Sequence, residues 1–314
     1  MPKKPPPAGK PRSRSEQSPP RSGTALRTFI FRPTTLILLA ILVSVWVFRP
    51  WMDRASLRLQ ARPEFQISLR SIRVTEPNHW VPVGLVEQVV RENGLPESAS
   101  LLDETLLPEV AESFANHPWV VRVIAIRASR ARGLEVELVY RRPAAMVETA
   151  HGLYPVDVDG VLLPPADFSI SDADRLPRVR NVKTLPQGPA GTEWGDPVVI
   201  ASAKLAEILA PAGDLFAYWD RYSLQAIIAP DRRTAAPELE DLDFELLTTG
   251  GSRIVWGRVP GADHLEPPVA RKLARLDEYL ATYGSFERPR GPSRIDIREY
   301  EVISLEELEN GDYR

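Results

Sequence analysis

Residues 119–143, WVVRVIAIRASRARGLEVELVYRRP, contain two runs of alternating apolar and polar residues, WVVRVIAIRAS and LEVELVYRRP, joined by the polar turn SRARG. Side chains alternate across a strand, so each run has one apolar face, and the pair predicts a β-hairpin with Val121 and Val123 turned inward. Upstream, VPVGLVEQVVRENGL places Val83, Val86, Val90 and Leu95 on one helical face and stops at Gly94. LDETLLPEVAESFANHP starts at Asp103 with Leu106, Val110 and Phe114 in helical phase, and FQISLRSIRVT, residues 65–75, alternates as a strand with one irregularity. The order β-α-α-β-β describes a small sheet covered by two helices on one face.

Downstream, Pro143 interrupts the pattern. AAMVETA and GLYPVDVDGVLLP pair apolar strands, with Asp159-Gly160 as the residues of a two-residue turn. The spacing of Asp157 and Asp159 lacks the further ligands and terminal Glu of a calcium loop. A helix is expected from Asp196 to Ala210, with Asp196 as cap and Pro197 at its first position. Strands follow at SLQAIIA, LDFELLTT and SRIVWGR, the last two meeting at Gly250-Gly251. PPVARKLARLDEYLATYG puts Val269, Leu273, Leu276, Leu280 and Tyr283 on one helical face, and SRIDIREYEVI, residues 293–303, is the last expected strand. The acidic SLEELENGDYR, residues 304–314, is expected to fray.

The chain has 314 residues, enough for two folded domains with appendages. It has no Cys, which excludes disulfide frameworks, thiolate metal sites and cysteine nucleophiles. Residues 1–33 hold eight Lys or Arg against Glu16 alone, together with eight Pro, so this segment is +7 while the whole chain is −3. Such a segment buries too little apolar surface to offset the entropy of ordering and is expected to be a disordered basic tail, which the positive-inside rule leaves in the cytoplasm. Residues 34–48, TTLILLAILVSVWVF, carry no charge, Gly or Pro. With Arg32 and Arg49 able to snorkel and Trp46 and Trp51 suited to the headgroup interface, the segment 34–51 is expected to cross the lipid bilayer as a single transmembrane signal anchor, leaving the folded domains that follow extracytoplasmic. No A-x-A-like cleavage signal follows directly, which argues against a removed signal peptide, and the run is not amphipathic, which argues against a core helix.

The search for chemistry is largely negative. No phosphate loop, nucleophile elbow, zinc-helix or dinucleotide motif is present, so no cofactor is expected. The four His are dispersed among loop residues, and the aromatic residues are too scattered for a base-stacking platform. No enzyme, small-molecule substrate or nucleic-acid partner is expected.

Four strings in order resemble the FtsQ/DivIB family of bitopic bacterial division proteins: HPWVVRVIAIR (117–127), LEVELVYRRPAAMV (134–147), GLYPVDVDGVLLP (152–164), and the series GSRIVWGRVPG, KLARLDEYLATYG and PSRIDIR within 251–298. The resemblance implies an α+β fold: the single transmembrane helix, a POTRA-like β-α-α-β-β domain over 62–143, and a mixed β-rich FtsQ-type domain with two helices over 144–303, before the acidic tail 304–314. It implies a scaffold of the septal peptidoglycan machinery, at the division site of the inner membrane, that binds FtsB-like and FtsL-like coiled-coil proteins. The chain departs from the family pattern in the hairpin turn Ser129–Gly133 and at Glu299, which intervenes before Tyr300. Other readings of such a chain are a POTRA-containing envelope assembly component and a wall hydrolase.

By resemblance, the strand from Ser293 to Ile303 lies at a sheet edge, whose unpaired backbone groups a partner strand can complete. Alternation places Asp296 and Arg298 on one face and Ile295 and Ile297 on the other. The expected partner-binding residues are Arg221, Asp296, Arg298, Glu299 and Tyr300, with Arg298 and Tyr300 facing the ligand and Arg221 acting as a nearby clamp.

Overall fold

The computed structural model describes residues 33–129, 132–231, 242–259 and 266–308. The expected basic tail up to residue 32 and the end of the acidic tail, 309–314, lie outside the described residues. The chain divides into two compact units, Met1–Arg62 and Pro63–Arg314.

In the first unit, helix α1 (Pro33–Gln60) exposes Ile37, Leu38, Ile41, Leu42, Val45 and Trp46. The expected transmembrane helix over 34–51 is corrected here: among the described residues, no helix is long and apolar enough to cross a membrane. The uncharged run is fifteen residues and ends at Arg49. At a helical rise of about 1.5 Å per residue it spans about 22 Å, against about 30 Å of hydrocarbon.

The second unit is mixed α and β and contains two principal sheets. β1 (Gln66–Ser68), β2 (Arg73–Val74), α2 (Leu85–Glu92), β3 (Ser98–Ser100), α3 (Leu106–Ala115), β4 (Val120–Ser129) and β5 (Gly133–Tyr140) come first. The sheet order is β2-β5-β4, with β2 parallel and β4 antiparallel to β5, while β1 and β3 form a separate antiparallel pair. Leu134, Val136 and Leu138 of β5 alternate into a core that includes Leu85, Val89, Val110 and Phe114 from the two helices.

Two inward assignments are corrected. β4 carries irregularities between Val120 and Arg122 and between Val123 and Ala125, and each shifts the alternation of the strand against its partner. Val121 is therefore 41% exposed and Val120 enters the core in its place, while Val123 packs against that core as expected. Val83 is fully exposed because the helix begins after it, beyond Gly84 at φ 89.

The remaining elements are β6 (Pro143–Thr149), β7 (Gly152–Asp157), the single turn α4 (Ile170–Ala173), β8 (Arg178–Arg180), α5 (Pro197–Leu209), β9 (Leu224–Ile228), β10 (Phe244–Thr248), β11 (Arg253–Gly257), α6 (Val269–Tyr283), β12 (Ser293–Asp296) and β13 (Ser304–Glu307). The eight strands lie in the order β13-β12-β11-β10-β9-β8-β6-β7. The pairs β6/β8, β8/β9 and β11/β12 are parallel and the others antiparallel.

The turn of the β6/β7 hairpin is at Ala150–His151, and Asp159-Gly160 instead reverses the chain after β7, where Val156 bridges Leu162. The Asp157 carboxylate shapes that reversal by accepting from the backbone N–H of Asp159 and Val161, and it pairs with Arg141 at 2.7 Å. Helix α5 is buried along most of its length and starts where Asp196 accepts from the N–H of Val198 ahead of Pro197.

The two sheets of this unit are joined through side chains. Trp119 Nε1 donates to Asp167 at 2.7 Å, the Trp119 ring stacks on Phe168, and Leu163 enters the first core.

Candidate partner-binding edge

Strand β12 begins after Gly291 and Pro292 and ends at Asp296, so the expected strand over 293–303 is shortened to four residues. Ile295 and Ile297 are fully buried beneath the core that includes Leu276 and Tyr279 of α6. The backbone of Ile297 is fixed from the same helix, since Arg275 donates to its carbonyl at 3.1 Å. Beyond it the chain bends through 299–301 and returns as β13.

β12 is therefore not the free edge that the sequence suggests. It pairs in parallel with β11 on one side and antiparallel with β13 on the other, with Ser293 opposite Glu307, Arg294 opposite Glu306, Ile295 opposite Leu305, and Asp296 opposite Ser304. The acidic segment expected to fray forms this outermost strand. All four of its residues are exposed. Glu is poorly suited to strands on propensity, and the backbone ladder on β12 overrides that preference here.

The expected site residues divide into two places. Asp296 and Arg298 are brought together: Arg298 Nη2 lies 2.7 Å from Asp296, and its backbone N–H also donates to that carboxylate. Burial by itself would raise the Asp296 carboxyl, but the hydrogen bonds and charge of Arg298 hold it below the usual carboxylate range. Arg298 Nη1 also reaches Asp243 at 3.0 Å. The expectation of a free Arg298 facing a ligand is thus corrected, because two carboxylates already occupy its guanidinium. Tyr300 is 56% exposed and donates from its hydroxyl to the Glu266 carbonyl at 2.9 Å, while Glu299 is exposed in the bend.

Arg221 is elsewhere. It precedes β9, which β10 and β11 separate from β12, and it pairs with Asp277 of α6 at 2.9 Å. The structure does not bring it to the edge as a clamp.

Arg294 is the cation that sequence reasoning passed over. It stands on the outer face of β12, 2.9 Å from Glu245 on β10 and 3.7 Å from Glu306 on β13. Glu245 also pairs with Arg253 at 3.3 Å, so the three side chains form a charged row across β10, β11 and β12. The signal was present in the string SRIDIR, where Arg294 shares the face of Asp296, but its neighbours come from strands distant in the chain.

Behind the edge lies a buried ion pair. Lys272 on α6 meets Glu266 at 2.6 Å and donates to the carbonyls of Trp256 and Arg258. Burial lowers the Lys272 pKa, and Glu266 partly opposes the shift. The buried face of α6 thus includes Lys272 and Arg275 beside Leu276 and Tyr279, rather than an unbroken apolar stripe.

The ten-residue edge strand β4 is a poorer platform for a partner. Its two irregularities break the ladder, and Arg122 and Arg127 project from it. Among the described residues no group of three or more His, Asp or Glu could hold a metal ion. No protein-family model matches the chain, and no curated protein matches it.

Proposed function

We propose that this chain is a non-enzymatic scaffold of the septal cell-wall machinery, similar to the FtsQ/DivIB proteins, and that it holds an extended segment of an FtsB-like or FtsL-like division protein on β12. The observation that carries the reading is the contrast between two adjacent strands. β12 is anchored by the buried Ile295 and Ile297, whereas β13, its outer neighbour, has four exposed residues.

A strand so anchored is a rigid template of backbone donors and acceptors, and pairing to it gives affinity without requiring a deep pocket. Side chains on the outer face give specificity, and Arg294 supplies a cation there. The order of family-like strings from His117 to Arg298 supports the cellular setting.

A fluorescent fusion to the full chain tests that setting in the organism that encodes it. A band at the division site, with filamentous growth on depletion, is the expected result. Uniform distribution together with normal division on depletion would contradict the proposal.

A further inference from the structure

We infer that β13 is a displaceable occupant of the partner's place, covering β12 until an acidic extended segment replaces it in the same antiparallel register. This deepens the proposed function and rests on its reading of β12 as the binding strand.

The anchoring of the C-terminal segment ends just before β13. Arg275 donates to the carbonyls of Ile297 and Val302, and Ile303 packs against the large core. After Ile303, the residues Ser304, Leu305, Glu306 and Glu307 are all exposed. Their ion pairs, Glu306 with Arg294 at 3.7 Å and Glu307 with Arg290 at 3.6 Å, join largely exposed groups and are screened by salt. What holds β13 is chiefly its backbone pairing to β12, and any extended chain can supply that pairing.

The tether sets the competition. Residues 297–303 connect the two strands, and a short linker gives an effective concentration on the order of millimolar. A segment that made only the contacts of β13 would therefore lose to it, and a successful partner must add contacts.

The register says which. Opposite Arg294 it requires a carboxylate, and opposite Ser293 a second carboxylate within reach of Arg290. Opposite Ile295 it requires an apolar residue. Leu305 now occupies that position, at the rim of a cleft of about 360 Å³ that Tyr279, Tyr283 and Val302 also line. A larger apolar side chain there would fill space that Leu305 leaves open. The fitting partner is thus an extended segment with one large apolar residue followed by two acidic residues.

The chain has no Cys, so a cross-strand disulfide can be placed without competition. The full-length double variant Ser293→Cys/Glu307→Cys, at opposed positions that leave Arg294 in place, locks β13 when oxidised and frees it when reduced. The probe is a labelled peptide of residues 303–308, ISLEEL, carrying Leu305→Trp, which adds the apolar contact that the competition requires. Binding should be at least about tenfold weaker to the oxidised form than to the reduced form. A chain ending at Ile303 should bind the peptide at least about tenfold more tightly than the wild type. Equal binding to the oxidised and reduced forms, or no binding to the chain ending at Ile303, overturns the inference.

An FtsB-like protein in the same assay separates the two proposals. If it binds the oxidised and reduced forms equally, strand exchange and the placing of the partner on β12 fall, and only the scaffold role survives. If the peptide discriminates between the forms and the FtsB-like protein binds neither, strand exchange stands and the assignment to division falls.

Discussion

Arg294 and Glu306 stand opposite each other in the outermost strand pair, yet the Arg294 guanidinium is closer to Glu245, at 2.9 Å, than to Glu306, at 3.7 Å. The cation is therefore positioned by the sheet, through Glu245, and its contact with β13 is the looser of the two. Arg294→Glu would place three carboxylates along this row. The expected cost is about 1 kcal/mol of stability, since like charges on neighbouring strands repel only modestly at an exposed face. The expected loss of binding to an acidic partner is larger at low salt than at high salt. Titration of an FtsB-like protein at two salt concentrations checks this, and wild-type affinity at low salt would count against the role of Arg294.

Lys272 is one of the buried charges among the described residues. Replacing it with Met leaves the Glu266 carboxylate without its cation and removes the donor to the carbonyls of Trp256 and Arg258. Breaking a buried pair from one side costs about 3–5 kcal/mol. Chemical denaturation of Lys272→Met should show that loss. The double variant Lys272→Met/Glu266→Gln should recover part of it, because no unpaired charge then remains. An unchanged midpoint in the single variant would contradict the account of this pair.

Gly160 tests the reversal after β7. Its φ is 74, and a Cβ there would lie 2.8 Å from Ile200 Cγ1 and 3.2 Å from the Ile200 Cα. Gly160→Ala is expected to destabilise by about 2 kcal/mol, combining left-handed backbone strain with overpacking. Adding Ile200→Ala should relieve the contact with Cγ1 but not the close approach of the Ile200 backbone or the strain. Thermal melting of the three proteins separates the two contributions, and a neutral Gly160→Ala would show that the turn is misassigned.

His117 makes the first module sensitive to acid. It is buried, its Nδ1 accepts from the Trp119 N–H, and burial lowers its pKa below the ordinary 6.5 despite the opposing charges of Glu92 and Asp167. Between the folded value and 6.5 the unfolded chain binds a proton that the folded chain does not. Stability is therefore fully present above 6.5 and falls as pH drops through that window. Melting curves from about pH 8 to about pH 5 should show a steeper decline in the wild type than in His117→Gln. Identical slopes would exclude His117 as the cause.

Much of the fold can be read from local pattern where the pattern is regular. Leu134, Val136 and Leu138 alternate without interruption, and β5 follows them residue by residue. Asp196 and Pro197 mark the start of α5, and Gly284 marks the end of α6, because caps depend on neighbouring residues alone. The pattern misleads where one extra residue enters a strand, as at Val121, since a single bulge reverses which side chain faces inward.

The candidate site was legible only in part. The Asp296–Arg298 pair lies two residues apart on one face, so alternation places it. The contact of Arg298 with Asp243 and the distance of Arg221 from β12 depend on strand order, which one strand's sequence does not encode. β13 was missed because SLEE has neither strand propensity nor a buried residue, and it forms only because β12 offers it a ladder.

Amide hydrogen exchange on the full chain, with and without an FtsB-like protein, tests the central claim most directly. The account predicts added protection in residues 293–297 and lost protection in residues 304–307 when the partner binds. A bound partner that leaves exchange in both segments unchanged would contradict it.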